Sequence, residues 1–136
     1  MTDSLFNAQQ AIYNALAASS TIQTLLGATP RIYDHVPPGA VFPYMVFGAI
    51  TVQPYDTKTE TGFEQIITLD IWSRYRGSKE AKDILQACYD ALHRATLTVT
   101  SEVFLLSEFH SGDLSLENDG ITYRAAARFS LITQTA

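Results

Sequence analysis

The stretch FEQIITLDIWSRYRGSKEAKDILQACYDALHRA, residues 63–95, contains both of the hydrophobic periods on which the fold prediction depends. Its first part, Phe63 to Tyr75, alternates between two sets of side chains, Ile67, Leu69 and Ile71 in one and Thr68, Asp70 and Trp72 in the other. A period of two is typical of a half-buried strand in an antiparallel sheet. The second part, Ser78 to Ala95, carries an apolar stripe at helical spacing, formed by Ala81, Ile84, Leu85, Cys88, Leu92 and Ala95. This spacing predicts an amphipathic helix with Ser78 as its N-cap.

The residues before this stretch predict two helical segments and an irregular connection. Ser4 to Ala18 has apolar residues near one face and several alanines, which favour a helix. A shorter helical segment begins at Ser20 and Gln23, which have capping-box spacing, and ends at Gly27. Arg31 to Pro43 contains prolines and a glycine that break regular structure, so it predicts a connection without regular elements.

The remaining segments predict three strands. Tyr44 to Val52 is rich in aromatic and β-branched residues, and the polar segment Pro54 to Gly62 after it predicts a long exposed hairpin loop. Val103 to Phe109 predicts the next strand, followed by a turn-prone stretch, Ser111 to Gly120. Ile121 to Ile132 alternates and predicts the last strand. The order α-β-β-α-β-β predicts an α+β fold, with two main helices packed on one face of a mainly antiparallel sheet. A length of 136 residues suits a single domain, 1–136.

Composition narrows the class of function. The net charge is -5, from 9 basic and 14 acidic side chains. Because phosphate binding depends on clustered Lys and Arg, this charge argues against a protein that binds nucleic acid. The single cysteine, Cys88, excludes an internal disulfide and fits a reducing compartment. Met1 to Ser4 lacks the pattern of a signal peptide, and no apolar run approaches the ~20 residues of a membrane-spanning helix. We therefore expect a soluble protein that does not contact a membrane.

No catalytic or metal-binding pattern is present in the sequence. His35, His93 and His110 are far apart, and none pairs with Cys88 or a carboxylate at metal-ligand spacing. On a helix, Cys88 and His93 point about 140° apart, so the cysteine is interpreted as a core residue. Phosphate-loop and nucleophile-elbow glycine motifs are absent. The sequence predicts no catalytic residue, no cofactor-binding residue and no metal ligand.

Trp72 is the side chain with the strongest indication of an interface. It lies on the strand face opposite the apolar set, with Arg74 beside it. If that face is uncovered, an exposed large aromatic is typical of a protein contact. If a helix covers it, Trp72 is a packing residue. Both interpretations argue against a catalytic role.

Six stretches, taken in order, resemble one phage family. They are Leu25-Leu26-Gly27, Arg31-Ile32-Tyr33-Asp34, Val36-Pro37-Pro38-Gly39-Ala40, Phe42-Pro43-Tyr44-Met45-Val46, Leu69-Asp70-Ile71-Trp72-Ser73 and Asp119-Gly120-Ile121-Thr122. Their combination is similar to the tail-completion or tail-terminator proteins of siphophages, prophages and gene transfer agents. The resemblance covers nearly the whole chain, and no single motif carries it.

The resemblance implies a structural virion protein at the head-proximal end of the tail, assembled in the bacterial host cytoplasm. Members of the family form a hexameric ring that caps the tail tube, stops its polymerisation and joins the tail to the head-side connector or stopper. The implied partners are further copies of the chain, the tail tube protein and the connector. DNA is expected to pass through the channel without specific binding. No active site is carried over.

The candidate interface residues are chosen from segment chemistry. They are Arg31, Tyr33, Pro37 and Phe42 in the connection, Tyr55, Asp56, Lys58 and Glu60 in the hairpin loop, and Trp72 with Arg74. We expect the connection to contact adjacent protomers and the loop to reach a neighbouring ring or tube subunit. Pairing of exposed sheet edges between subunits is also expected, because it satisfies their backbone groups.

Two alternative functions remain at this point. The first is a head–tail connector or another minor tail-completion subunit of the same particle. The second is a small α+β ligand-binding domain or enzyme, which would need a deep pocket with convergent polar groups.

Overall fold

A computed structural model describes residues 4–56, 59–99 and 102–135. The helices are α1 (Ser4–Ala17), α2 (Ser20–Leu26) and α3 (Lys79–Leu92), and the strands are β1 (Ile32–Tyr33), β2 (Tyr44–Pro54), β3 (Gly62–Ser73), β4 (Glu102–Leu116) and β5 (Tyr123–Thr135). The five strands form one sheet in the order β1-β2-β3-β5-β4, with β1 parallel to β2 and the other pairs antiparallel. The predicted α+β fold is confirmed.

The core lies on the face of the sheet that the helices cover. On this face Ile67 of β3 pairs with Phe129 of β5, and Leu69 pairs with Ala127. The apolar stripe of α3 packs here, with Ala81, Ile84, Cys88 and Leu92 all fully buried. Small side chains on β5 let this helix approach the sheet closely, and α1 completes the layer. Within the described ranges, no helix is long and apolar enough to cross a membrane.

The caps of the two later helices differ from the predictions. The N-cap of α2 is Ser19, whose hydroxyl accepts a hydrogen bond from the Ile22 N–H at 3.3 Å, so the assignment of Ser20 was wrong by one residue. Gln23 donates to the carbonyl of Ala17 at 2.8 Å and does not close a capping box. Ser78 stands at the start of α3 with φ -89° and makes no side-chain cap. A helical backbone at that position turns its hydroxyl away from the free N–H groups.

The strand β4 is longer than predicted. It continues to Leu116, whereas the sequence predicted its end at Phe109 and a turn from Ser111. The pairing with β5 shifts register between Phe104 and Leu106 and again between Phe109 and Ser111. Each register shift places one extra residue in β4, and this residue interrupts the alternation of side chains. The pattern of period two is therefore lost although the strand continues.

The connection from Arg31 to Pro43 contains a short strand that the sequence did not predict. Ile32 and Tyr33 pair with Met45 and Val46 of β2, and the Met45 N–H donates to the Arg31 carbonyl at 2.9 Å. Two residues are too few for a recognisable period. The peptide bond between Phe42 and Pro43 is cis. The hairpin between β2 and β3 is present where it was predicted. It is closed by a hydrogen bond of 2.9 Å from the Tyr55 N–H to the Gly62 carbonyl.

Gln65 generates a prediction about stability. Its side chain is 0% exposed on the helix-covered face, and neither amide atom has a hydrogen-bond partner among the described residues. An unsatisfied buried amide costs desolvation energy, so Gln65→Met, which keeps the shape, should raise the free energy of unfolding by about 1–3 kcal/mol. Chemical denaturation measures the change. The exposed Gln53→Met is the control, expected to stay within about 0.5 kcal/mol, and a destabilised Gln65→Met protein would contradict the prediction.

Candidate functional site

Cys88 and His93 are committed to packing, whereas His35 and His110 are exposed. Cys88 is fully buried, and desolvation raises the pKa of its thiol to about 12, so the thiol stays protonated at neutral pH. The Nδ1 of His93 accepts a hydrogen bond from the Phe109 N–H at 3.0 Å, and its ring stacks on Tyr89. No cluster of three or more His, Cys, Asp or Glu side chains that could hold a metal occurs in the described part of the chain.

Aromatic and cationic side chains gather at one end of the helix-free face of the sheet. The rings of Phe42 and Tyr44 have centroids 5.0 Å apart. The guanidinium of Arg74 lies 4.3 Å above the centre of Phe42, and that of Arg124 lies 5.8 Å from the centre of Trp72. Both distances are within the range of a cation–π interaction. We name Phe42, Tyr44, Trp72 and Arg74 the aromatic patch.

Strand register explains why the aromatic patch forms. Tyr44 pairs with Trp72, and Trp72 pairs with Arg124, so three strands contribute one row of side chains. Because the neighbouring Ile71 points into the core, this row faces away from the helices. Trp72 is half-buried in the row, on the face that the helices do not cover. The row borders a depression of about 390 Å³, which also has Glu117, Asn118, Asp119 and Thr122 on its wall.

The turn between β4 and β5 holds one side of the aromatic patch in place. The Nε of Arg74 donates to the hydroxyl of Thr122 at 3.1 Å, and this hydroxyl donates to a carboxylate oxygen of Asp119 at 2.6 Å. The other carboxylate oxygen accepts the N–H groups of Ile121 and Thr122, each at 2.9 Å. The Thr122 hydroxyl, followed by these backbone groups, lowers the pKa of Asp119 to about 2. The Asp119-Gly120 turn signal is thereby confirmed, within a turn shorter than predicted.

Polar side chains continue the helix-free face beyond the patch. Arg124 bonds to Asp70 at 2.7 Å, and Arg128 bonds to Asp113 at 3.0 Å. Further along, the hydroxyl of Ser130 donates to Glu64 at 3.0 Å. Each of the two arginines therefore has a carboxylate beside it, which reduces its attraction for an external anion.

Five of the ten candidate interface residues come together at the aromatic patch. Phe42, Trp72 and Arg74 belong to it. Tyr33 joins through its ring, whose centroid is 6.0 Å from that of Tyr44. Arg31 holds the start of β2 by donating from Nε to the Pro43 carbonyl at 2.8 Å.

The other candidates lie elsewhere. Pro37 is exposed in the loop between β1 and β2. Tyr55, Asp56 and Glu60 are exposed at the opposite end of the sheet, where a carboxylate oxygen of Asp56 accepts the Gly62 N–H at 3.2 Å. Lys58 lies outside the described residues. The candidates therefore define two separate surfaces.

Sequence reasoning missed three members of the site, Tyr44, Arg124 and Thr122. Arg124 and Thr122 alternate in sequence with the apolar residues of the last predicted strand, which is the only local signal of the face they occupy. They lie near Trp72 because β3 pairs with β5. This pairing is not visible in the sequence, since α3 and β4 separate the two strands in the chain. Period two assigns a face, but it does not identify which strands are neighbours.

These observations define a class of protein, an α+β fold in which helices cover one face of a mainly antiparallel sheet. The family model described as "Tail completion protein gp17" matches residues 10–134. The chain belongs to that family of tail-completion proteins.

A solved structure shows the same fold. A chain described as "Virion of native gene transfer agent (GTA) particle" matches with a TM-score of 0.88 and 23% sequence identity, over 98% of this chain and 99% of that chain. No curated protein matches the sequence. The predicted resemblance to tail-completion proteins is confirmed.

The depressed pKa of Asp119 predicts a pH-dependent effect of Asp119→Ala. Since the folded pKa of about 2 lies below the ordinary 3.8, the ionised carboxylate stabilises the fold above pH 3.8. This contribution is lost as the pH falls through about 2. The variant should therefore unfold a few degrees below the parent at pH 7, and the difference should shrink between pH 4 and pH 2.

Thermal unfolding followed by circular dichroism at pH 7, 4 and 2 measures this effect. Asn118→Ser in the same turn is the control, because it changes no charge. A difference for Asp119→Ala that stayed constant with pH would show that the carboxylate charge is not involved.

Proposed function

We propose that six copies of this tail-completion protein form a ring at the head-proximal end of the tail tube. The ring stops polymerisation of the tube and presents a surface to the head-side connector. The observation that carries the proposal is that the two candidate surfaces lie at opposite ends of the same strands. The 12 residues of β3 extend roughly 36 Å between them. A component that joins two partners along the tail axis needs contact surfaces separated in this way.

The aromatic patch has the chemistry of the first contact surface. Aromatic and arginine side chains dominate the binding energy of protein interfaces, the aromatic rings because they bury large areas with little loss of conformational entropy. Arg74 is already oriented by Phe42 and by Thr122, so little further ordering is needed when a partner binds.

The hairpin loop has the chemistry of the second surface. Tyr55 is 44% exposed, and the acidic Asp56 and Glu60 of the same loop are also exposed. An exposed aromatic within a polar rim is typical of an interface centre. We assign the tail tube to one of these two surfaces and the connector to the other.

The charge of the chain supports passage of DNA without specific binding. Each copy carries a formal charge of -5. On the helix-free face, Arg124 and Arg128 are matched by Asp70 and Asp113. Few cations are left to hold phosphate groups, so a channel built from such subunits would let the duplex slide.

The whole chain acts through contacts in this proposal, as a single domain without a catalytic step. A head–tail connector subunit is the alternative within the same particle. The effect of deleting the protein distinguishes a terminator from a connector subunit.

Deletion of the protein from the particle that encodes it is the direct test. A missing terminator leaves tube growth unchecked, so electron microscopy should show tails of variable, extended length. Supplying the chain in trans should restore uniform tails. Tails of normal length that fail to join heads would instead identify a connector subunit and reject the terminator.

Arg74→Glu tests the aromatic patch. The change removes the stacked cation, and we expect the number of joined particles to fall about tenfold, the effect of losing one well-packed contact. Counts of full particles by electron microscopy give the result, and circular dichroism checks the fold. Arg76→Glu makes the same charge change two residues away, outside the patch, and should leave joining unchanged. Equal effects of both variants would exclude the patch as the contact.

A further inference from the structure

The outer edge of β2 is open from Ile50 to Pro54. On this side β2 pairs only with the two residues of β1, at Met45 and Val46, which lie before the open segment. No strand and no other backbone group of the described residues hydrogen-bonds to the outer side of the segment. An uncovered edge of this kind favours pairing with a further strand.

The alternation of the β2–β3 ladder identifies the open backbone groups. The Tyr55 N–H donates to the Gly62 carbonyl at 2.9 Å, so these two residues form a hydrogen-bonded pair. Such pairs alternate with pairs that are not hydrogen-bonded, and Thr51 therefore turns its backbone groups to β3. Ile50 and Val52 turn theirs outward. Each of them offers one N–H donor and one carbonyl acceptor to a partner.

The other strands of the chain do not offer a partner for this edge. β3 and β5 are paired on both sides. The outer side of β4 is covered at the same level of the sheet, where the Arg94 N–H donates to the Ser107 carbonyl at 2.7 Å and the Phe109 N–H donates to Nδ1 of His93 at 3.0 Å. Pairing of two β2 edges would relate copies by a two-fold axis, which is not the head-to-tail contact of a ring. The edge therefore fits a different polypeptide.

Apolar side chains lie beside the open groups. Ile50 and Val52 pair with buried residues of β3 on the helix side of the sheet, yet they are 37% and 39% exposed. A groove of about 220 Å³ continues this surface between α1 and β2, and Phe6, Tyr13 and Phe47 contribute to its apolar wall. An added strand with apolar residues at alternate positions would bury these side chains.

A carboxylate lies at each end of the open edge. Asp34 is exposed in the wall of the groove, where its Oδ1 accepts a hydrogen bond from Nε2 of Gln9 at 3.1 Å. Asp56 is exposed two residues after Pro54. Neither carboxylate forms an ion pair with a residue in the described ranges. A segment with Lys or Arg near its ends complements this charge.

We propose that the open edge of β2 binds an extended segment of a tail tube subunit, which adds to the sheet as a strand beside Ile50 and Val52. This contact rests on the proposed function, in which the two ends of the sheet contact different partners. The aromatic patch is the end that joins particles, so the edge beside the hairpin loop is assigned to the tail tube. The segment has apolar residues at alternate positions and basic residues near its ends. Backbone hydrogen bonds supply its affinity, and the side chains set its register.

Val52→Pro tests the strand addition. Proline removes one outward donor and leaves the bonds between β2 and β3 in place, and Pro54 already occupies the same outward row. Cosedimentation with tubes assembled from the purified tube protein of the same particle should show an affinity at least tenfold below that of the parent. Val52→Ile, which keeps the N–H and the apolar side chain, is the control and should bind like the parent. Circular dichroism checks the fold, and parent-like binding of Val52→Pro would overturn the contact.

Hydrogen exchange of the unmodified chain tests the contact without a substitution. In the free chain the N–H groups of Ile50 and Val52 should exchange quickly, and that of Thr51 slowly, because only Thr51 is bonded to β3. Bound tubes should slow exchange at Ile50 and Val52 at least tenfold. Fast exchange at both residues in the bound chain would overturn the contact. Protection of both in a ring assembled without tubes would show that the edge contacts another copy, which also overturns it.

The two proposals fail in different ways. A chain that binds tubes and restores uniform tails while Ile50 and Val52 stay unprotected would overturn the strand addition and leave the terminator function intact. A chain that does not bind tubes, and whose deletion leaves tails of normal length, would overturn the proposed function and the contact with it.

Discussion

β3 pairs with β5 along its whole length, from Gly62 opposite Gln134 to Ser73 opposite Tyr123. The positions of the helices and of the remaining strands depend on this ladder. On one face it aligns Leu69 and Ile71 of β3 with Ala127 and Ala125 of β5, and α3 packs against this sheet through its apolar stripe. The fit between helix and sheet depends on this alternation of large and small side chains, because interiors are close-packed. Without the ladder, neither α3 nor α1 has a surface to cover.

The same ladder forms the opposite face. Because side chains alternate, burying Ile71 commits Trp72 to the face without helices, and the register then puts Arg124 next to it. A slip of one residue between β3 and β5 would move the core residues to the surface and separate Asp70 from Arg124. Stability and the aromatic patch are therefore specified by one set of backbone hydrogen bonds.

Several elements were predictable and several were not, for identifiable reasons. α3 and β3 were found from their periods, since each buries one face along its whole length. The end of β4 was missed because two register shifts interrupt its alternation. β1 was missed because two residues have no period, and its existence depends on β2 lying beside it. The cap of α2 was displaced by one residue because Ser19 and Ser20 are equivalent in sequence, and only backbone geometry distinguishes them.

The sequence by itself determined the class of fold, the core-facing sides of α3 and β3 and the resemblance to tail-completion proteins. These properties depend on residues close together in the chain or on the order of its segments. Hydrophobic periods and the order of motifs are therefore enough to predict them. Only the tertiary structure decided which strands are neighbours, which edges stay uncovered and which side chains meet at the aromatic patch. Pairing between β3 and β5 joins segments separated by a helix and another strand, and its register is the outcome of packing the whole core at once.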